Sequence, residues 1–95
     1  MFMVSLRFAG EKARAGELIE GHNAWIQQGF DDGVFLMTGS LVPGIGGAVM
    51  AYNTSRDDLE RRVKADPFVA EGVVDAEIVE IEASRTDARL DFLSA

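Results

Sequence analysis

The order of hydrophobic patterns constrains the fold of this chain more than any other feature. Short apolar runs typical of strands alternate with two segments in which apolar residues recur at every third or fourth position, as in amphipathic helices. From the first residue onward, the elements follow as strand, helix, strand, strand, helix and strand. This βαββαβ order is that of the ferredoxin-like arrangement. We therefore predict an α+β fold with a four-stranded antiparallel sheet and both helices on one face.

Local signals place the first three strands and the first helix. The first strand is predicted over residues 2–8, and the acidic Glu11 then opens a helix that ends at Gly33. An almost continuous apolar run predicts the second strand over residues 34–38, and the third strand follows over residues 47–52. The two strands are close enough in sequence to form a hairpin.

Capping residues and a proline define the second half of the chain. Ser55 has an aspartate three residues later, which is the pattern of a capping box. Pro67 stops the second helix, and Asp66 is expected to cap a short extra turn that begins at this proline. The last strand is predicted over residues 74–82, with a bulge near Ile78 because its apolar alternation changes phase there.

The predicted arrangement leaves one face of the sheet without helices. A chain of 95 residues also has a small core, which oligomerisation often supplements. These arguments predict a homodimer formed on the open face. The folded domain is predicted over residues 1–83, followed by a tail over residues 84–95 whose apolar residues need cover, for which a partner subunit is one source. Met3, Met37 and Met50 are interpreted as core residues.

Charge and composition exclude several classes of function. Nine basic and sixteen acidic residues give a net charge of −7, which argues against binding to nucleic acid or to anionic membranes. No apolar run approaches the ~18 residues of a membrane span, and no signal peptide is recognised, so a cytoplasmic location is expected. With one histidine and no cysteine, the sequence predicts neither a metal site nor a cofactor.

His22 is the best candidate for acid–base chemistry. It lies on the apolar stripe of the first helix, four residues after Leu18 and four before Ile26. Histidine is the side chain that exchanges a proton most readily near neutral pH. Asp66 is the second candidate, because a carboxylate beside an imidazole fixes its tautomer and supports its protonated form. The alternative is structural for both residues: a histidine at the edge of the core and an ordinary helix cap.

The loop after the second strand is a candidate binding element. Ser40 precedes a segment rich in glycine, which permits close approach of a ligand to the backbone, and Pro43 and Gly47 belong to the same segment. An ordinary flexible hairpin loop is the alternative. The segment is not a phosphate cradle, because no Gly-Lys-Ser/Thr follows it. Arg7, on the first strand, would either bind an anionic group of a substrate or pair with an acid near the sheet edge.

Taken together, these features make the chain resemble the YCII-related (YciI-like) family over nearly its whole length. The matching segments are residues 20–26 around His22, residues 33–40, Gly46-Gly47, and Asp66-Pro67-Phe68 followed by Gly72. The resemblance implies a dimeric α+β barrel in which His22 and Asp66 meet in a pocket, and it makes Phe68 a further candidate for substrate binding. Dehydrochlorinase-like elimination on a hydroxylated aromatic is one activity credited to the family.

The function predicted from these observations is that of a small-molecule enzyme. His22, oriented by Asp66, would transfer a proton during elimination, isomerisation or hydrolysis of a small organic substrate. The apolar Leu41, Val42 and Ile45 predict a largely apolar ligand. The alternative is a ligand-binding or dimerisation module without catalysis. Other dimeric α+β barrel families, such as antibiotic-biosynthesis monooxygenases and muconolactone isomerases, would share the fold but differ in chemistry.

Overall fold

The computed structural model describes residues 1–10 and 12–94, which form four strands and three α-helices. Glu11, which was expected to open the first helix, lies outside the described residues; a 3-10 turn leads into that helix at Ala15. A second 3-10 segment lies near the end of the chain. The elements are β1 (Phe2–Phe8), α1 (Ala15–Asp31), β2 (Phe35–Leu41), β3 (Gly46–Ala51), α2 (Arg56–Lys64), α3 (Pro67–Ala70) and β4 (Val74–Glu80).

The four strands form one antiparallel sheet in the order β2-β3-β1-β4. β1 is central, and its Val4 lies opposite Val49 of β3 on one side and Ile78 of β4 on the other. This order, with βαββαβ connectivity, is the predicted ferredoxin-like α+β fold.

The core lies between one face of the sheet and the helices. Alternation along β1 buries Phe2, Val4 and Leu6, because successive side chains of a strand point to opposite faces. Leu59 of α2 and Trp25 of α1 are buried against the same core from the helical side. The helices therefore fix which residues of each strand face the space between α1 and the sheet.

The other face of the sheet carries no helix, and we call it the open face. Register and alternation place on it Met3, Ser5 and Arg7 of β1, Met37, Gly39 and Leu41 of β2, Ala48 and Met50 of β3, and Asp75, Glu77 and Val79 of β4. Met3, Met37 and Val79 are 44%, 51% and 46% exposed. The interpretation of the methionines as core residues is therefore wrong, because the helices cover only the opposite face.

The predicted bulge in the last strand is absent. β4 pairs with β1 residue by residue from Val74 to Glu80, and the register shift occurs instead between Phe35 and Met37 of β2. The apolar residues of β4 change phase because Ile78 faces the helices whereas Val79 lies on the open face. A strand with apolar residues on both faces thus explains the pattern without a bulge.

The capping signals lie where the sequence predicts them. Gly33 follows α1 with a φ of 72°, in the left-handed region that favours glycine. Ser55 Oγ accepts a hydrogen bond from the Asp58 N–H at the start of α2. Asp66 caps α3, with Pro67 as the first helical residue. Among the described residues, no helix is both long enough and apolar enough to cross a membrane.

Candidate active site

The structure brings His22 and Asp66 into contact, although 44 residues separate them in sequence. His22 Nδ1 lies 2.8 Å from Asp66 Oδ1. His22 lies on the apolar stripe of α1, which faces α3. Pro67 cannot continue helix α2 and begins α3 instead, so Asp66 becomes the N-cap of α3. The Asp66 side chain is 0% exposed and that of His22 is 13% exposed. Asp66 is thus fully buried, and His22 lies at the edge of the core with a small exposed fraction.

Hydrogen bonding defines the tautomer of the imidazole. An ionised carboxylate only accepts hydrogen bonds, so we assign a proton to Nδ1 of His22, which then donates a hydrogen bond to Asp66 Oδ1. Asp66 Oδ1 also accepts the backbone N–H of Phe68 at 3.1 Å. Asp66 Oδ2 is buried and has no hydrogen-bond partner among the described residues. Nε2 of His22 is therefore the nitrogen left to meet a ligand.

Aromatic rings pack beside the imidazole. The ring of Phe68 stacks on that of His22, with centroids 3.9 Å apart and planes inclined by 6°. The indole of Trp25 lies farther away, with a centroid distance of 5.9 Å, and its Nε1 donates to the Arg62 carbonyl at 2.8 Å. Apolar surroundings exclude competing water from the His22–Asp66 contact.

His22 and Phe68 lie on the wall of a cleft between α1 and the sheet. The cleft has a volume of about 310 Å³, and among the residues that the structure describes, no lysine, arginine or carboxylate lines it. Its polar side chains are those of His22, Asn23, Thr38 and Ser40. The remaining lining residues are Leu6, Phe8, Ile19, Ile26, Gly39, Gly46, Gly47, Ala48, Val49 and Phe68. This composition suits an uncharged or weakly polar small molecule.

Larger grooves elsewhere on the surface are not lined by His22. A groove of about 650 Å³ runs between α2 and β4, and another of about 590 Å³ lies beside Trp25 and Arg62. Neither is lined by the histidine or by the aspartate that contacts it. The smaller cleft is the candidate site, because reactive groups rather than volume decide where a reaction occurs.

Some predicted site residues line this cleft and others do not. Ser40, Gly47 and Phe68 line it, together with His22. Arg7 lies on the open face, because it follows the inward-facing Leu6 by one position. Ser40 and Gly47 lie in β2 and β3 and not in the predicted loop, because the pairing of these two strands continues to Leu41 and Gly46. Pro43 is exposed in the turn between β2 and β3 and is not a lining residue.

The apolar part of the cleft also differs from the expectation. Leu41, Val42 and Ile45 do not line it, and Val42 is 88% exposed. The apolar wall comes instead from strand and helix residues such as Leu6 and Ile26.

Two polar lining residues, Asn23 and Thr38, were not singled out in the sequence. Thr38 shares the strand face of Ser40 because the two are two positions apart, and Asn23 adjoins His22 on α1. Strand alternation was therefore the signal that could have found Thr38. Among the described residues, no group of three or more histidines and carboxylates could hold a metal ion.

The fold and the site define a ferredoxin-like α+β domain with a His–Asp pair whose histidine lies on the wall of a cleft between helix and sheet, while the aspartate is buried. The family model of the YCII-related domain matches residues 1–82, and the chain belongs to this family. No curated protein sequence matches the chain.

A solved structure with the same fold is 5-chloro-2-hydroxyhydroquinone dehydrochlorinase from Burkholderia phenoliruptrix, in complex with 2,5-dihydroxybenzoquinone. It superposes with a TM-score of 0.70 over 85% of this chain and 93% of that one, at 15% sequence identity. At this identity the similarity establishes the shared fold.

Proposed function

We propose that this protein is an enzyme that acts on a small organic molecule, with His22 as its general base and acid. The observation that carries the proposal is the 2.8 Å contact between His22, which lies on the wall of the cleft, and Asp66, which is fully buried. Such a carboxylate holds the imidazole in one tautomer and stabilises the imidazolium that forms when Nε2 takes a proton. Membership of the YCII-related family is consistent with this proposal.

The same pair of residues serves three reaction types. In an elimination, Nε2 accepts a proton from the substrate, the electron pair of the broken bond forms a double bond, and a leaving group departs with its own pair. In an isomerisation, the proton returns to another atom of the substrate. In a hydrolysis, Nε2 takes the proton of a water whose oxygen attacks the substrate, and it returns this proton to the leaving group, which departs with the electron pair of the broken bond. A positioned base of this kind contributes about 10²–10⁴-fold to the rate.

The dehydrochlorinase with the same fold favours elimination as the first reaction to test. Its name describes the removal of hydrogen chloride from a hydroxylated ring, and its bound ligand is a dihydroxybenzoquinone. A planar molecule of that size suits a cleft of about 310 Å³.

Ser40 is proposed to hydrogen-bond the substrate. Asn23 and Thr38 join it, since all three place polar groups on the lining of the cleft. Gly47 contributes by its lack of a side chain: an added Cβ would lie 3.3 Å from the Gly39 carbonyl oxygen and would crowd the floor of the cleft. Phe68 supplies an apolar wall on which a planar substrate can lie.

We further propose that two copies of the chain associate through the open face. This face exposes Met3, Met37 and Val79 together, and an apolar patch of this kind marks an interaction surface. A second copy is the occupant proposed, because a chain of 95 residues gains core by closing two such faces on each other.

The experiment combines a binding probe with a turnover assay. Trp25 is the only tryptophan and lies beside His22, so its fluorescence should report the binding of 2,5-dihydroxybenzoquinone. Release of chloride from 5-chloro-2-hydroxyhydroquinone measures elimination, and an enol lactone and a small ester represent isomerisation and hydrolysis.

The decisive variant is His22→Asn. Its amide N–H can replace the Nδ1 donor to Asp66, but it cannot exchange a proton. We expect it to bind the probe and to lose turnover by about 10²–10⁴-fold. Undiminished turnover in this variant would contradict catalysis by His22, and binding without turnover of any of the three compounds would favour a ligand-binding module.

A further inference from the structure

Three consecutive residues at the start of α3 contact α1 around the imidazole. Asp66 accepts the hydrogen bond from His22 Nδ1. Pro67 packs against α1 at Gly21, where an added Cβ would lie only 3.1 Å from Pro67 Cγ. Phe68 stacks its ring face to face on the imidazole. This one turn of helix therefore contacts α1 at three consecutive positions, and two of them, Asp66 and Phe68, contact His22 itself.

We propose that Phe68 is a positioning residue for His22. Its ring would hold the imidazole in the plane in which Nδ1 meets Asp66 and Nε2 is left for the cleft. The chemical consequence of this inference rests on the proposed function, since orientation matters to the reaction only if His22 transfers a proton. The orientation of the imidazole by Phe68 does not depend on the proposed function.

The hydrogen bond to Asp66 leaves one motion of the imidazole unconstrained. One hydrogen bond fixes the position of Nδ1 but does not fix the tilt of the ring about that contact. An aromatic face 3.9 Å away, inclined by 6°, removes that freedom because any tilt would drive one ring edge into Phe68. Phe68 is itself buried in the core cluster, so it does not move aside.

The backbone of Phe68 constrains Asp66, the hydrogen-bond partner of His22. Its N–H donates to Asp66 Oδ1, the same oxygen that accepts from His22. That bond orients the carboxylate, whose second oxygen has no hydrogen bond within the described residues to orient it. One residue thus constrains the imidazole through its ring and the carboxylate through its backbone.

Phe68 also lines the cleft, so the test must separate positioning from contact with a ligand. Phe68→Leu removes the ring and keeps the backbone N–H, whereas Phe68→Tyr keeps both. His22 is the only histidine, so its ring ¹⁵N and ¹H resonances are assigned without ambiguity in the ligand-free protein. The ¹⁵N shifts report which nitrogen carries the proton.

We expect a single Nδ1–H tautomer in the wild type and in Phe68→Tyr, with ring protons shifted upfield by the adjacent aromatic face. In Phe68→Leu the upfield shift should disappear, and the freed ring should tilt out of line with Asp66, which weakens the Nδ1 hydrogen bond and allows the Nε2–H tautomer to become populated. A folded Phe68→Leu protein with an unchanged single tautomer would overturn the proposal. So would a loss of the single tautomer in Phe68→Tyr as large as that in Phe68→Leu.

If Phe68→Leu does not fold, Gly21→Ala carries the same test. The added methyl group displaces Pro67, and with it the neighbouring cap and ring, by a few tenths of an ångström. Gly16→Ala is the matched control, because an added Cβ there meets nothing within 4 Å. The ¹⁵N shifts of His22 should change in Gly21→Ala and stay unchanged in Gly16→Ala; equal spectra in both variants would contradict the proposal.

Turnover distinguishes this inference from the proposed function. With a substrate that the wild type converts, Phe68→Leu should lower kcat by about 10–100-fold and change KM little, because small errors of orientation cost this much. A rise in KM with unchanged kcat would make Phe68 a substrate contact and overturn its positioning role. A tautomer change in a protein whose wild type converts none of the three compounds would support positioning and contradict the proposed enzyme.

Discussion

Asp66 has two roles that a single substitution can separate. Its Oδ1 caps α3 by accepting the Phe68 N–H, and the same atom accepts the Nδ1–H of His22. An asparagine oxygen can replace the cap, but it carries no charge to stabilise an imidazolium. The structural and chemical roles therefore predict different outcomes for Asp66→Asn and Asp66→Ala.

Asp66→Asn should keep the fold and lower turnover by about 10²-fold or more, because charge support for His22 is lost. Asp66→Ala should lower turnover similarly and should also lose about 1 kcal/mol of unfolding free energy through the missing cap. Urea unfolding and kcat measured on both variants check this. Wild-type turnover in Asp66→Asn would show that the carboxylate only caps the helix.

At the scale of residues, the sequence indicated His22 and Asp66 as candidates, but spacing alone did not place them together. Their contact depends on how α3 packs against α1, which only the folded chain determines. The face of the sheet on which Arg7 lies could have been predicted from the sequence. Its neighbour Leu6 faces inward, so alternation puts Arg7 on the open face and outside the cleft.

Within α1, two glycines respond to alanine in opposite directions. An added Cβ at Gly29 would collide with the buried ring of Phe35, whereas one at Gly16 meets open space. Overpacking costs about 1–3 kcal/mol, and helix propensity returns up to about 1 kcal/mol. Gly29→Ala should therefore lower the unfolding free energy by about 1–2 kcal/mol, and Gly16→Ala should raise it by about 0.5 kcal/mol.

Chemical denaturation of the two glycine variants measures both values. A Gly29→Ala protein as stable as the wild type would mean that Phe35 has room to move away. Equal destabilisation by both substitutions would mean that the effect comes from the helix itself and not from the contact with β2.

An ion pair between α2 and the end of α1 predicts a dependence of stability on pH. A hydrogen bond from the Arg62 guanidinium, followed by one from the Gln28 amide, lowers the pKa of Asp32 below its usual value of 3.8. A lowered folded-state pKa stabilises the fold above the unfolded value, and this contribution is lost as the pH falls through the folded value. The pair is partly exposed, so its contribution is small.

Asp32→Asn should consequently lose less stability than the wild type between neutral pH and about pH 3, because it has no carboxylate to protonate there. Asp31→Asn is the matched control: it removes the same charge from a neighbouring residue that accepts from Gln27 instead of a guanidinium. Urea midpoints at both pH values give the comparison. If the two variants respond to acid identically, the Arg62 contact has no measurable effect.

The order of the elements and several helix ends could be predicted because capping and breaking residues act locally, whereas β2 extends to Leu41, beyond its predicted end at Thr38. Ser55, Pro67 and Gly33 each end or begin a helix through their own backbone chemistry. The bulge expected near Ile78 was wrong for a different reason. An apolar residue on each face of β4 produces the same sequence pattern as a change of register, and only the pairing with β1 distinguishes the two.

The molecule as a whole has apolar residues on both faces of one sheet, but its helices cover one face only. Ferredoxin-like connectivity places both crossovers on the same side, so the sequence could predict an uncovered face. Alternation along β1 could have placed Met3 on this face, as it could Arg7, whereas the register shift between Phe35 and Met37 concealed the placement of Met37. The residues proposed to act on a substrate lie on the helical side of the sheet, and those proposed to form the dimer interface lie on the other.

Association through the open face should therefore be separable from the folding of the subunit. Met37 lies on that face and is half exposed, so Met37→Glu adds a charge to the proposed interface without entering the core. Val42→Glu is the matched control, because this residue lies in the turn between β2 and β3 and is almost fully exposed. Both variants should retain the circular dichroism of the wild type.

Light scattering at micromolar concentration should give the wild type and Val42→Glu twice the 10.3 kDa mass of the chain, and Met37→Glu the mass of a monomer. The net charge of −7 adds a second signature: repulsion between subunits weakens as salt screens it, so the wild-type dimer should tighten with ionic strength. A monomeric wild type, or a Met37→Glu protein that remains dimeric, would contradict association through this face. A dimer that dissociates on adding salt would instead indicate an interface held by opposite charges, such as those of Arg7, Asp75 and Glu77, and not by the methionines of the open face.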